Sequence, residues 1–185
     1  LELVASILGV ASVWLLVRRN IWAFPIGILM VLAYSRIFYE ARLYSDMLLQ
    51  LVYVVLQVQG WMLWSIGGRE ADNKIRVLEF QRGYWVVSGL AVVVLALVLG
   101  WIMAAYTNAA LPWVDALTTA ISLVAQWWMN KRFVENWLMW VLADLIYLYQ
   151  YSARGLYLTT LLYGLFLVMA IYGYRDWKSR VAAKA

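Results

Sequence analysis

The chain has 185 residues, 66% of them hydrophobic and only 14% charged, and its 15 basic and 10 acidic residues give a net charge of +5. A soluble domain of this length cannot bury so much apolar surface, and long uninterrupted apolar runs exclude a β-barrel, in which apolar and polar residues alternate. Cysteine and histidine are both absent, which removes disulfides, thiolate and imidazole metal sites, thiol catalysis and Ser-His-Asp triads.

Seven apolar spans follow in order. The first, Leu3–Val17, closes on Arg18, Arg19 and Asn20; it is short for a crossing, and snorkelling arginines or upstream residues are expected to complete it. The second, Ile21–Tyr39, carries Pro25 in its opening turn, where a missing N–H matters least. A polar turn, Glu40–Asp46, leads to the third, Met47–Ile66. Gly67–Gly83 reads as a polar linker of mixed charge with no apolar period. The fourth, Tyr84–Tyr106, contains V-V-V-L-A-L-V-L and almost nothing polar. After the uncharged loop Thr107–Pro112 come the fifth span, Trp113–Asn130, the sixth, Trp137–Tyr151, and the seventh, Leu156–Tyr174, followed by a basic tail. The rings near Trp101–Tyr106 and Trp177 are expected in the interfacial belt.

With seven spans, the loops after the first, third and fifth share a side with the C-terminus. That side holds 12 of the 15 basic residues, leaving only Arg36, Arg42 and Arg154 opposite. The bias predicts a cytoplasmic C-terminus and an external N-terminus, and it accounts for the net charge without a nucleic-acid partner. The chain also repeats itself. Trp22 matches Trp137, Leu43 and Tyr44 match Leu156 and Tyr157, and Gly60 and Trp61 match Gly173 and Tyr174, with a two-residue indel after the first pair. The expected fold is therefore an all-α membrane protein of seven transmembrane helices in a 3+1+3 arrangement of parallel repeats. Its parts are a first three-helix bundle at 1–66, the linker and connecting fourth helix at 67–106, and a second bundle with the basic tail at 107–185. Parallel repeats around a central site are a known transporter plan.

Three spans carry polar residues on one face. In the sixth, Trp137, Trp140, Asp144, Tyr147 and Tyr151 share an arc of about 80°. An acid at membrane depth costs on the order of 2.5–3.5 kcal/mol and normally faces protein or a wet cavity. Flanked by rings, it has the chemistry to hold a flat organic cation; an ion pair with an arginine such as Arg36 is the alternative. In the third span Gln50, Tyr53, Gln57, Trp61 and Trp64 share about 80° of arc, and in the fifth Asp115, Thr118, Thr119, Ser122 and Gln126 share about 100°. Such amides and hydroxyls either line a site or bond neighbouring helices. Asp115, just after Pro112, either contacts ligand or stabilises the helix dipole.

The P-W-x-D start of the fifth span, S-L-V-A, K-R-F-V-E-N-W-L-M-W, R-L-Y-S-D-M-L-L-Q and Q-V-Q-G-W-M-L-W together resemble the PnuC family of bacterial vitamin transporters, over nearly the whole chain. The resemblance implies a SWEET-like fold of two parallel triple-helix bundles joined by the fourth helix. It also implies a homotrimer in the bacterial inner membrane, and facilitated diffusion of nicotinamide riboside trapped inside by a cytoplasmic kinase. Relatives carry thiamine or riboflavin. The tryptophan of the family's W-x-x-x-N motif falls on Trp140, and the asparagine is Asp144 here, an acceptor-only carboxylate in place of an amide. Gln59 stands where tyrosine is expected.

The candidate substrate-binding set is thus Gln50, Gln57, Trp61, Trp64, Asp115, Thr119, Ser122, Gln126, Asn136, Trp137, Trp140, Asp144 and Tyr147, with no cofactor or metal expected. Nicotinamide riboside and thiamine both bear a fixed positive charge. An enzyme would have to work without histidine, cysteine or a P-loop. A channel using Asp144 as a relay and an accessory membrane subunit are the remaining readings.

Overall fold

The computed structural model describes residues 1–40, 44–70, 74–78, 83–107, 111–153, 155 and 157–182, with the backbone alone at 44–46 and 158. Arg42, Leu43, Arg82, Arg154, Leu156 and Lys184 of the sequence argument lie outside the described residues. Those described form seven helices: α1 (Glu2–Val17), α2 (Ala23–Glu40), α3 (Tyr44–Ser65), α4 (Gly83–Tyr106), α5 (Pro112–Asn130), α6 (Asn136–Ala153) and α7 (Tyr157–Ala182). By length and composition α2, α3 and α4 are long and apolar enough to cross a membrane, and α1 is a shorter apolar helix. Pro112 opens α5, where its fixed φ suits a first turn. The basic tail is not separate, because α7 runs on through Arg175 and Lys178 to Ala182.

The helices pack as two triplets and a connector. In each triplet the middle helix, α2 or α6, packs on both neighbours; the triplets meet through α1 against α7 and α3 against α5, and α4 lies on α5. One constant offset of 113 residues relates the triplets. It carries α2 onto α6 end to end, the last residue of α1 onto that of α5, and the first residue of α3 onto that of α7. No indel is needed. The sequence pairing of Trp22 with Trp137 was therefore two residues out: Trp22 is 64% exposed and Trp137 is 1% exposed, and the buried counterpart of Trp137 is Phe24.

What joins the triplets is a reciprocal pair of tryptophans. Trp64 of α3 donates its indole N–H to the Met129 carbonyl in the last turn of α5, at 3.2 Å. Trp177 of α7, its counterpart, donates to the carbonyl of Val17 at the end of α1, at 3.1 Å. The Trp177 indole satisfies the last carbonyl of α1, which lies past the reach of that helix's own N–H groups. The Trp64 indole adds a second bond to a Met129 carbonyl that also accepts from the Arg132 N–H at 2.9 Å. Each also meets an aromatic of its own triplet edge-on: Phe24 with Trp64 at 4.9 Å and Trp137 with Trp177 at 5.4 Å. The two clasps touch, Trp64 and Trp177 lying 6.0 Å apart between centroids. Trp177 is fully buried; the expectation that it sits in an interfacial belt is overturned, because its N–H has a protein partner and its ring a protein cavity. Glycine makes the approach possible. A Cβ on Gly60 would collide with Phe24 and Asn130, and one on Gly173 would lie 2.6 Å from Trp137.

The segment after α3 is not a free linker. Arg69 and Ile75 form an antiparallel bridge, and Leu78 pairs in parallel with Phe133. Ile75 and Val77 are buried in the same core as the clasps. Arg19, 2% exposed, anchors the segment with an ion pair to Glu70 at 2.7 Å and a bond to the Ile75 carbonyl. Two alternating apolar residues suffice to plug this end, too short a run to register as a period.

Gly173→Ala is expected to lower the melting temperature in detergent, since overpacking a core costs typically about 1–3 kcal/mol. Gly89→Ala on α4, with nothing within 4 Å of the new Cβ, is expected to be neutral or to stabilise by up to about 1 kcal/mol. Equal melting shifts for the two variants would contradict the clasp as the point of closest packing.

Candidate functional site

Asp144 lies on the inner face of α6 and is 4% exposed. Helical spacing places Tyr147 and Tyr151 above it on the same face, where their rings stack at 5.7 Å with 13° between planes. Tyr163 of α7 closes on both, 4.6 Å from Tyr147 and 5.1 Å from Tyr151 between centroids. Phe166, one turn further along α7, meets Tyr163 edge-on. From α5, the buried Ser122 hydroxyl lies beside the phenols of Tyr147 and of Tyr53 on α3. On the far side, Phe166 approaches the place a Cβ on Gly9 of α1 would occupy, at 3.5 Å. The four tyrosines are only half-buried. A carboxyl group, a buried hydroxyl and a wall of partly open rings therefore converge where α3, α5, α6 and α7 meet.

Among the described residues Asp144 has no counter-ion. Arg36, the candidate partner, turns to Glu40 one helical turn along α2, with Nε 2.8 Å from the carboxylate and both side chains largely exposed. No described basic side chain comes within ion-pair distance of Asp144. The ion-pair alternative is thus replaced by an acid facing rings.

Of the residues singled out in the sequence, Ser122, Asp144 and Tyr147 are brought together, with Tyr53 and Tyr151 from the same stripes. Thr119 and Gln50 are half-buried one turn from Ser122 and Tyr53. Trp140, one turn from Asp144, packs against the aromatic core at the clasp end. Gln57 is buried over Gly27 beside Ser12, with its Oε1 unbonded. The others serve packing or stand apart. Trp64 and Trp137 belong to the clasps. Gln126 donates to Asn130, which bonds the Leu56 carbonyl at 2.8 Å and so ties α5 to α3. Asn136, fully buried, donates to the Phe133 carbonyl at the start of α6. Asp115 accepts from Gln150 at 2.8 Å, linking α5 to α6. Trp61 is 40% exposed, on the side of α3 turned away from Gly60.

Tyr163 and Phe166 are the members that sequence reasoning missed. No polar stripe marks the seventh span, but Phe166 stands 113 residues after Tyr53, so the correct repeat offset would have pointed to it.

A family model described as nicotinamide mononucleotide transporter matches residues 1–179. The nicotinamide riboside transporter PnuC of Escherichia coli (strain K12) is 27% identical, the match covering 96% of this chain and 84% of that protein. The riboflavin/roseoflavin transporter RibM of Streptomyces davaonensis is 29% identical, over 95% of this chain and 83% of its own length. A crystal structure of the vitamin B3 transporter PnuC superposes with a TM-score of 0.81 at 25% identity, covering 98% of this chain and 82% of that one.

Proposed function

We infer that this chain, which belongs to the nicotinamide mononucleotide transporter family of PnuC-type membrane transporters, carries nicotinamide riboside. Membership makes it a multi-pass membrane transporter and not an enzyme; the choice of vitamin rests on the site. The single observation behind it is Asp144, buried among tyrosines with no described cation beside it. Nicotinamide riboside brings a flat pyridinium ring with a fixed positive charge. A cation on an aromatic face gains about 0.5–2 kcal/mol, depending on desolvation. A carboxylate at about 4 Å in an effective dielectric near 20 adds roughly 4 kcal/mol of attraction before desolvation is subtracted. Riboflavin, named for the Streptomyces relative, offers the rings but no charge. Thiamine, a cation with planar rings, is the second reading that Asp144 favours.

In this reading transport is passive. Nothing in the sequence binds nucleotide through a P-loop, and accumulation depends on a cytoplasmic kinase that phosphorylates the vitamin after entry. In the same reading the transporter works as a homotrimer in the bacterial inner membrane, and the distribution of basic residues supports an outside N-terminus and a cytoplasmic C-terminus.

Titration of the purified protein with nicotinamide riboside, thiamine and riboflavin tests the choice. Both cations are expected to bind at least about tenfold tighter than riboflavin, a difference of about 1.4 kcal/mol. Asp144→Asn is expected to reduce that preference to the part the rings supply while leaving the fold intact, and Tyr163→Leu to weaken all ligands together. A folded Asp144→Asn protein whose preference for the cations is undiminished would place the recognition elsewhere.

Orientation has its own check, since the chain lacks cysteine. Gly68→Cys, exposed beside the plugging segment, and Ser152→Cys, exposed at the far end of α6, report opposite faces. In intact cells an impermeant thiol reagent is expected to label position 152 and spare 68; the reverse pattern would invert the topology.

A further inference from the structure

We propose that the pocket beside Arg132, at the clasp end of the bundle, is a binding site for a phosphate group. It encloses about 570 Å³ and is lined by Leu63, Ile66, Leu78, Tyr84 and Phe133, with Lys131 and Arg132 as its charged members.

The pseudo-twofold relates this pocket to a filled counterpart in the first triplet. Arg132 stands 113 residues after Arg19, and the two occupy the same structural place. Each follows the last turn of its triplet's first helix, and each holds a left-handed backbone, φ 57° at Arg19 and 66° at Arg132. Neither residue is glycine, so both positions bear a conformation that L side chains adopt uncommonly. At Arg19 the guanidinium is neutralised by Glu70 at 2.7 Å. Among the described residues Arg132 forms no ion pair, although part of the group is out of water and its Nε has no hydrogen-bond partner there. The guanidinium instead reaches over Gly67, which has no side chain to block it.

The local field reinforces the vacancy of negative charge. Burial, and then Arg76 nearby, lower the pKa of Arg132 from the usual arginine value, and Lys131 adds a third cation on the rim. The carboxyl end of α5 offsets this with only a fraction of a charge, whereas Glu70 gives Arg19 a full one. A planar guanidinium left in this state suits the bidentate geometry of a phosphate oxyanion. The apolar and aromatic wall of Leu63, Leu78, Tyr84 and Phe133 fits an organic group attached to that phosphate. A free phosphate monoester and the headgroup of an anionic phospholipid share this chemistry.

The test uses the full-length protein in nanodiscs. In phosphatidylcholine discs, inorganic phosphate and adenosine monophosphate are titrated against adenosine, with melting temperature and bound ligand as readouts. Adenosine monophosphate carries no cationic ring and so leaves the inference about Asp144 separate. In a parallel arm phosphatidylglycerol replaces part of the lipid. Stabilisation by the monophosphate but not by adenosine identifies a free phosphate ester; stabilisation by phosphatidylglycerol alone identifies a lipid headgroup. Either supports the site if affinity falls about tenfold in Arg132→Gln and is partly kept in Arg132→Lys. Should Arg132→Gln fail to fold, Lys131→Gln on the exposed rim is expected to weaken the same ligand. Absence of stabilisation in both arms, or stabilisation unchanged by these variants, overturns the proposal.

Discussion

Two indole N–H groups, each given to a carbonyl at the end of the opposite triplet's first helix, fix how the halves of this protein meet. A buried helix-end carbonyl must find a donor, and a buried indole N–H must find an acceptor. Here each half supplies the acceptor that the other's buried indole needs, so neither tryptophan is satisfied without the opposite triplet. Glycines at 60 and 173 let the rings settle, and Ile75 and Val77 close the same layer from outside. The constant 113-residue offset follows, because both triplets must present their aromatic, glycine and tryptophan at the same depth.

A twofold frame filled by unequal side chains produces a polarised site. Where the second half has Asp144, the first has Val31; where it has Ser122 and Tyr163, the first has Gly9 and Gln50. Tyr53 faces Ser122 as Phe166 faces Gly9. The carboxyl group therefore falls on one side of the axis, whereas the stacked rings recur, Tyr34 and Phe38 standing where the second half has Tyr147 and Tyr151 and stacking at 6.0 Å. Such a site can orient a ligand with a charged ring at one end, and a strictly symmetric one could not. The same inequality at the clasp end pairs Arg19 with Glu70 and leaves Arg132 beside an open pocket.

Much of this was legible in the sequence. Helix number and order followed from the apolar runs, and three polar stripes delivered Ser122, Asp144 and Tyr147 to one cluster. What escaped notice depended on distance along the chain. That Trp64 and Trp177 are clasps and not site or belt residues depends on carbonyls 65 and 160 residues away. Tyr163 shares its face only with Thr159 and Thr160, too short a patch to register as a stripe, so packing against α6 reveals its part. Ile75 and Val77 sit among charges, and two residues make no period. Trp22 was matched to Trp137 because identical letters outweigh equivalent places; burial shows that Phe24 holds the place.

The central claim is that Asp144 selects for charge within a cage that supplies shape. Nicotinamide riboside and its 1,4-dihydro form test this most directly, having the same sugar and carboxamide but a charged ring in one and a neutral ring in the other. Binding constants for both, measured on the natural protein and on Asp144→Asn, separate charge from fit. The account predicts a preference of at least about tenfold for the charged form, equivalent to about 1.4 kcal/mol, that falls in the variant to the part the rings supply. Equal affinities for the two forms in the natural protein would contradict it.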